Sequence, residues 1–274
     1  MKVSFVIPAR NEQDYIADCI ASLLRQAVNF RYEIIVVDNG SIDATSRLAS
    51  ELGARVVYEP RAGLTNARQA GFLAAEGDYL IYVDADSRLP AGWASDAVDL
   101  FEADDDLVAL SSGFHFYDGG IAEDVGNIVF RVFLNPAVNF LLKASGRPGV
   151  LIGSAIAVRS EALRRADGIS TEFQFYGEDT ALAYRLHPYG EVRFVADLLI
   201  ATSARRYQQR GVVLTALRYF SVFALIHLGK VATASRLANR FQDAERPGKG
   251  IVADPFGRLD DAPDMDGVGN LEST

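Results

Sequence analysis

Cysteine is nearly missing from this sequence: Cys19 is the single thiol in 274 residues. One thiol cannot close a disulfide within the chain or build a cysteine-based zinc site, so both are excluded. Cys19 falls at an apolar position of a helical pattern and reads as a small buried hydrophobe. Positive charge is short as well. With 36 acidic residues against 27 basic ones the net charge is −9. Such a field repels polyanions and argues against nucleic acid as the main partner, although a local basic patch can still hold a phosphate.

Long apolar runs are also wanting. No stretch reaches the roughly 18 uninterrupted apolar residues of a membrane-crossing helix; the nearest, Val212 to Leu228, is interrupted by Arg218 and His227. The opening run stops at Pro8 and reads as a first strand. It falls short of an export signal, which needs an apolar region of about 7–15 residues and a cleavage site, so the cytoplasm is the expected compartment. The turn after that strand, Pro8-Ala-Arg-Asn-Glu-Gln-Asp14, has no glycine. That removes the dinucleotide-binding fingerprint and argues against the glycine-rich phosphate loop of a nucleotidyltransferase or sugar-nucleotide pyrophosphorylase.

What is present is an apolar content of 49%, enough for a substantial core in one large α/β domain. Strand-like runs at Val3–Ile7, Ile34–Val37, Arg55–Tyr58 and Tyr79–Val83 alternate with helical patterns at Tyr15–Leu24, Ala44–Leu52 and Thr65–Ala75. The alternation predicts βαβ units and a mostly parallel sheet covered by helices on both faces. Further along, a helix is expected over Pro90–Ala103, a strand over Leu107–Phe116, and a helical stretch from Ile121 to Lys143 broken near Pro136. A strand at Val150–Val158 and a short helix from Ser160 follow. Beyond residue 242, eight acidic side chains face three basic ones in a Gly/Pro-rich segment. The domain is therefore expected to span 1–240, with 241–274 a flexible acidic tail.

Open α/β sheets bind ligands at the carboxyl ends of their strands, and the polar residues collect there. Asp84-Ala85-Asp86 directly follows the run Tyr79–Val83. Two hard oxygen ligands at that spacing suit Mg²⁺ or Mn²⁺ bridging a diphosphate, although Asp-x-Asp alone also describes a solvated acidic turn. Asp38 ends another strand and is placed to accept hydrogen bonds from a base or ribose, while Asp43 suits the N-cap of the next helix. Arg68 lies in the first turns of the helix opened by Gly63-Leu-Thr-Asn66, as an anion or base-edge contact or as an exposed helical arginine. Glu178-Asp179 after Gly177 is either a helix-starting acid pair or the source of a general base for an acceptor hydroxyl. Arg205-Arg206, just past the last strand-like segment, can neutralise a leaving diphosphate.

In order and spacing, Pro8-Ala-Arg-Asn11-Glu12, Val-Val-Asp38-Asn-Gly-Ser41, Gly63-Leu-Thr-Asn-Ala-Arg68-Gln-Ala-Gly71, Val-Asp84-Ala-Asp86, Gly177-Glu178-Asp179 and Ser203-Ala-Arg-Arg206 resemble the family 2 glycosyltransferases. The resemblance covers about the first 210 residues. It implies a GT-A fold, a nucleotide-diphosphate sugar donor with UDP favoured, a divalent cation (Mn²⁺ or Mg²⁺) and inversion at the anomeric carbon. It places Asp38 and Arg68 at the base, Asp84 on the ribose side and Asp86 on the metal, shared with Asp84. Pro8, Ala9, Arg10, Glu12, Gly63, Ala85, Arg205 and Arg206 fall on the donor side, and Gly153 and Glu178 on the acceptor side. Asp179 is the base. Residues 1–110 would bind the donor and 111–240 the acceptor, a saccharide or a lipid-linked one, in glycan, glycolipid or envelope polysaccharide synthesis.

Two departures narrow the resemblance. The processive polysaccharide synthases continue into Gln-x-x-Arg-Trp and membrane spans, whereas this chain has Gln208-Gln-Arg210-Gly211 and its single tryptophan is Trp93. Polyprenyl-phosphate sugar synthases are closer, yet Arg88 stands two residues past Asp86, where a polar metal-facing residue is expected. A sugar-nucleotide-binding module without catalysis is the non-enzymatic alternative. The apolar helix within 212–230 leaves open a membrane surface, the sheet or a second copy of the chain as its partner. The first of these places the protein at the inner face of the plasma membrane.

Overall fold

Strand alternation builds the two halves of the core. In β1 (Lys2–Ala9), Phe5 and Ile7 join one buried cluster while Val6 joins the other; in β2 (Arg31–Asp38), Ile34 and Val36 oppose Ile35 and Val37 in the same way. Successive side chains leave a strand on opposite faces, so a sheet apolar on both faces must be covered twice. The helices α1 (Ile16–Leu24) and α2 (Thr45–Glu51) cover the first face. On the second lies α3 (Leu64–Ala74), after β3 (Arg55–Tyr58), packed through Ala67. Gly71 lets α3 approach closely, since a Cβ there would lie 2.2 Å from Val6 Cγ1.

The computed structural model describes residues 1–244; all but the first four residues of the expected acidic tail lie outside the described residues. After β4 (Tyr79–Val83) come the two-residue β5 (Ser87–Arg88), α4 (Trp93–Ala103) and β6 (Leu107–Phe116). Then follow α5 (Ile121–Val129), α6 (Asn135–Ala144), β7 (Ala155–Arg159) and α7 (Ser160–Arg165). The remaining elements are α8 (Glu178–Leu186), β8 (Glu191–Thr202), α9 (Arg205–Arg210), α10 (Val212–His227) and α11 (Val231–Ala244). The single sheet has the order β3-β2-β1-β4-β7-β6-β8-β5. β1 to β4 are parallel, β6 and β8 are parallel, and β7 runs against both its neighbours.

The order forces curvature. β4 and β5 stand four ladder steps apart, about 19 Å in a flat sheet, yet only residues 84–86 join them, a reach of about 14 Å. The sheet must curl, and it curls around the loop that carries Asp84 and Asp86.

Four expectations change here. The helix expected from Pro90 begins at Trp93, after Gly92 in the left-handed region (φ 88). The stretch 121–143 is not broken at Pro136. It runs on through a π-helical turn at Phe130–Leu134 that places the proline in the first turn of α6, and the wider turn relieves the clash a proline ring makes with the preceding carbonyls. The continuous helix Ile121–Ala144 has 24 residues and an 18-residue window of mean hydropathy 1.4, long and apolar enough to cross a membrane by length and composition. Splitting it at the proline had concealed that.

The strand expected over 150–158 occupies Ala155–Arg159 instead. Residues 150–154 have their backbone groups taken elsewhere: Val150 N–H donates to Asn139 Oδ1, Gly153 O accepts from Arg68, and Ser154 O accepts from Asp84 N–H. Finally, α10 packs on Phe173, Tyr176 and α11, not on the sheet, and α11 runs to Ala244.

Candidate active site

β1 to β4 are parallel, so their carboxyl ends share one rim. β1 can end in Pro8 because its pairing with β4 stops at Val6; the missing N–H leaves no gap in that ladder. Ala9 is buried and Arg10 is exposed at the rim. Asn11 takes the left-handed conformation (φ 56), tolerated by asparagine. It ties this loop to the next: its N–H donates to Ser41 Oγ, and Ile42 N–H donates to its Oδ1. Asp38 is 7% exposed and accepts from Ser41 N–H at 2.9 Å and Ser46 Oγ at 2.6 Å. Asp43 receives the N–H of Thr45 at 3.0 Å, capping the helix start from one residue further out than expected. Asn39 accepts from Gly63 N–H and donates to the carbonyls of Glu59 and Arg61, fixing the entry to α3.

After β4, Asp84 opens a tight turn: its carbonyl accepts Ser87 N–H at 2.9 Å, and its own N–H reaches Ser154 O at 3.2 Å. Ala85 is buried beneath the turn. Asp86 Oδ2 accepts from Arg205 Nε at 2.8 Å, and Arg205 Nη2 donates to Glu12 Oε1 at 2.7 Å. The same guanidinium lies 4.4 Å from the centre of the Tyr15 ring. Arg205 gets there because β5 pairs with β8 and Ser87 Oγ donates to Thr202 Oγ1. Asp118 then holds the corner by accepting from Ser203 Oγ and Ala204 N–H. Arg206 turns the other way, donating to the Tyr219 hydroxyl at 2.8 Å and lying 4.0 Å over the Phe175 ring. Arg88 bonds Asp18 and stacks on Tyr117.

Arg68 is 2% exposed. It donates to Glu178 Oε1 at 2.8 Å, Gly153 O at 2.8 Å and Asp84 Oδ1 at 3.3 Å, so its guanidinium is occupied by groups of the protein and links the donor rim to the turn before α8. Gly177 makes that turn in the left-handed region (φ 81), and a Cβ there would meet Val222 at 2.6 Å. Three carboxylates, Asp84, Glu178 and Asp179, surround this one buried cation. Burial, followed by the charge of Asp179, pushes Glu178 up to about 8 against the pull of Arg68. A proton on Glu178 relieves the excess negative charge.

Burial also raises Asp179, opposed by the N–H groups of Thr180 and Gly153, and raises Glu12, opposed by Arg205. Burial raises Asp84 too, opposed by Arg68; a third of its side chain is exposed, so solvent screens that shift more than the one at Glu178. For Arg205, burial disfavours the charge but Glu12 and Asp86 outweigh it, lifting its pKa above the ordinary value.

Four buried polar atoms around this turn have no hydrogen-bond partner: Glu12 Oε2, Arg68 Nε, Ser154 Oγ and Glu178 Oε2. Buried polar atoms are rarely left unpaired, and such a concentration beside Asp84 and Asp86 marks where ligand groups belong. Among the described residues no three His, Cys, Asp or Glu side chains form a self-sufficient metal cage. Asp84 and Asp86 are two hard oxygen donors at this turn, and a divalent cation there would take its remaining ligands from a diphosphate and water. Sequence reasoning missed Tyr15, Asn39, Asp118, Ser154 and Tyr219. Only Asn39, before a glycine at a strand end, carried a local turn signal; the others act across the fold.

An α/β sheet of this order with an acidic turn at the carboxyl end of β4 is the architecture of GT-A transferases. Residues 4–166 match the model of glycosyl transferase family 2, and the chain belongs to that family. The uncharacterized glycosyltransferase EpsJ of Bacillus subtilis (strain 168) is 37% identical over 89 residues, 31% of this chain and 26% of that protein. The chain matches between 13% and 43% of the length of the curated relatives it resembles. Among solved structures, the fold is similar to glucosyl-3-phosphoglycerate synthase from Mycobacterium tuberculosis, solved with Mn²⁺, UDP and glucosyl-3-phosphoglycerate. The TM-score is 0.56 and the identity 21%, over 83% of this chain and 80% of that one. It is also similar to the mannosyltransferase PcManGT from Pyrobaculum calidifontis in complex with GDP-Man and Mn²⁺, with a TM-score of 0.58 and 19% identity over 90% and 76% of the two chains.

Proposed function

We propose that this chain is an inverting, metal-dependent glycosyltransferase that moves a sugar from a nucleoside-diphosphate donor, UDP-sugar foremost, to an acceptor hydroxyl. The observation that carries this reading is the Asp86–Arg205–Glu12 cluster, set beside Asp84 and ringed by unpaired buried polar atoms. Asp84 and Asp86 would hold Mn²⁺ or Mg²⁺, which when bound would supply neutralising charge for the diphosphate. Asp38, at the end of β2, accepts from the base or ribose, and the cationic Arg205 stabilises the negative charge that grows on the leaving diphosphate, while Arg206 is held by Tyr219 and Phe175.

Asp179 accepts the acceptor's hydroxyl proton as that oxygen bonds to the anomeric carbon. The bond to the diphosphate breaks on the opposite face, and inversion follows. A carboxylate raised by burial is a stronger base than one in water, which suits that task. Glu178, holding its own proton, and Arg68 fix the turn on which Asp179 sits. Uridine is favoured because a similar structure was solved with UDP; another was solved with GDP-Man.

The test is thermal unfolding of wild type and Asp86→Ala with UDP, GDP, TDP or CMP, each with Mn²⁺, Mg²⁺ or chelator. A ligand that binds only the folded state raises Tm. A metal-dependent rise with one diphosphate, absent in the variant, is the expected result. No rise with any nucleotide refutes the donor assignment.

A further inference from the structure

The helix Ile121–Ala144 is turned inside out. Its buried side chains include Asn127 and Asn135; Asn127 Nδ2 donates to Phe114 O at 2.7 Å, and Asn139 Oδ1 accepts from Val150 N–H. Its apolar residues face outward: Val125 is 54% exposed, Phe133 67%, Phe140 74% and Leu141 65%. Only 17% of its apolar window is buried. α10 shows a second open stripe, with Leu217 59% and Phe220 66% exposed, while its other side packs on Phe173, Tyr176 and α11.

The two helices run side by side. At one end a Cβ on Gly126 would lie 3.9 Å from Val212 Cγ1. At the other, Arg147 lies close enough to His227 for its charge to add to burial in disfavouring protonation of that ring. Each helix exposes an apolar stripe, and exposed patches of this kind mark an interaction surface.

Charge selects the occupant. Residues 121–148 and 212–230 carry five basic side chains, Arg131, Lys143, Arg147, Arg218 and Lys230, against Glu123 and Asp124, in a chain whose net charge is −9. Arg147 and Lys230 are exposed where the two helices end, and Lys143, also exposed, lies 3.5 Å from Glu191 Oε1. An apolar face with a basic rim fits an anionic phospholipid surface. The helix lies on such a surface and does not cross it, since Asn127 and Asn139 bond Phe114 O and Val150 N–H outside the helix and Asn135 is buried against the protein.

We propose that the face formed by residues 121–147 and 212–230 docks this protein on an anionic membrane, with the bilayer taking up the outward apolar side chains and the basic rim meeting its headgroups. The docked face adjoins the acceptor side: Val222 and Ile226 of α10 back the Gly177 turn that presents Asp179. An acceptor hydroxyl carried by a lipid would meet that turn from the same side.

The experiment is co-sedimentation of the full chain with vesicles of phosphatidylcholine plus phosphatidylglycerol, and of phosphatidylcholine alone, alongside sedimentation velocity without lipid. The variants are Phe133→Ser with Phe140→Ser, and Lys143→Ala with Lys230→Ala; all four positions are exposed, so folding is retained, as circular dichroism would verify. Wild type should sediment with the anionic vesicles. The phenylalanine variant should lose most of that binding, and the lysine variant should weaken about fivefold per cation removed. No sedimentation of wild type with anionic vesicles overturns the proposal, as does binding unchanged in both variants. So does a lipid-independent dimer that the phenylalanine variant converts to monomer, which would assign the face to a second copy. None of these outcomes depends on donor binding, so failure here is distinct from failure of the transferase reading.

Discussion

Glu178→Gln tests whether one arginine really serves three carboxylates. Glutamine has the shape of a protonated glutamate and keeps a carbonyl for Arg68, so the variant retains the contact at Oε1 but can no longer ionise. In the wild type Glu178 titrates from an ordinary 4.5 in the unfolded chain to about 8 in the folded one. An acid whose folded pKa is raised contributes stability that is fully present below about pH 4.5 and is lost as pH rises toward about 8. At 1.36 kcal/mol per unit, the three units between about pH 5 and about pH 8 set a ceiling of about 4 kcal/mol.

Neighbouring Asp84 and Asp179 titrate in the same ring and share part of that slope, so the difference between the two proteins should fall at about 1–4 kcal/mol. Urea unfolding with a chelator present, followed by far-ultraviolet circular dichroism at several pH values, measures it. The variant should match wild type at the acidic end and be the more stable protein at the alkaline end. Parallel curves would mean that Glu178 is ionised throughout, and the charge argument at Arg68 would have to be abandoned.

Asp179→Asn should lower kcat by about 10²–10⁴-fold while nucleotide binding survives; steady-state kinetics with a donor titration checks this, and an unchanged rate removes Asp179 as base. Gly71→Ala drives a methyl to within 2.2 Å of Val6 Cγ1 and should destabilise the chain by about 1–3 kcal/mol in urea unfolding; a neutral result would show that α3 can lift from β1 freely. Cys19 is 1% exposed, and burial pushes its thiol above the ordinary pKa, so an aromatic disulfide reagent should modify it only as fast as the protein unfolds. Rapid labelling under native conditions would contradict that packing.

The first hundred residues were readable because each segment obeys one period. Phe5, Val6 and Ile7 alternate across a sheet, and Asp38 and Asp84 end buried strands where open α/β sheets place ligands. The acid pair after Gly177 and the dibasic pair after β8 could be found by order alone. Their partners could not. Arg205 meets Glu12 across 193 positions and Arg68 meets Glu178 across 110, separations to which no local pattern points. Arg68 shows the cost: as a helical arginine near the rim it was expected at the base, whereas the folded chain surrounds it with protein acceptors. The region 121–154 misled for a different reason. A proline normally ends a helix, and here a π-helical turn absorbs it; the apolar residues that pattern reasoning assigns to a core face outward.

β6 and β7 lie side by side, pairing Ala109–Ser111 with Val158–Ile156, so the long excursion between them departs from and returns to neighbouring points of the sheet. In modular terms it is a cassette. Gly149, whose Cβ would sit 2.3 Å from Val192 O, fixes the downstream seam, and Phe116 marks the upstream one. A chimera that exchanges residues 121–148 for the corresponding segment of another family member would leave Asp38, Asp84, Asp86, Asp179 and the corner held by Asp118 in place while replacing what stands beside them. Donor chemistry and the surroundings in which it operates could then be recombined independently.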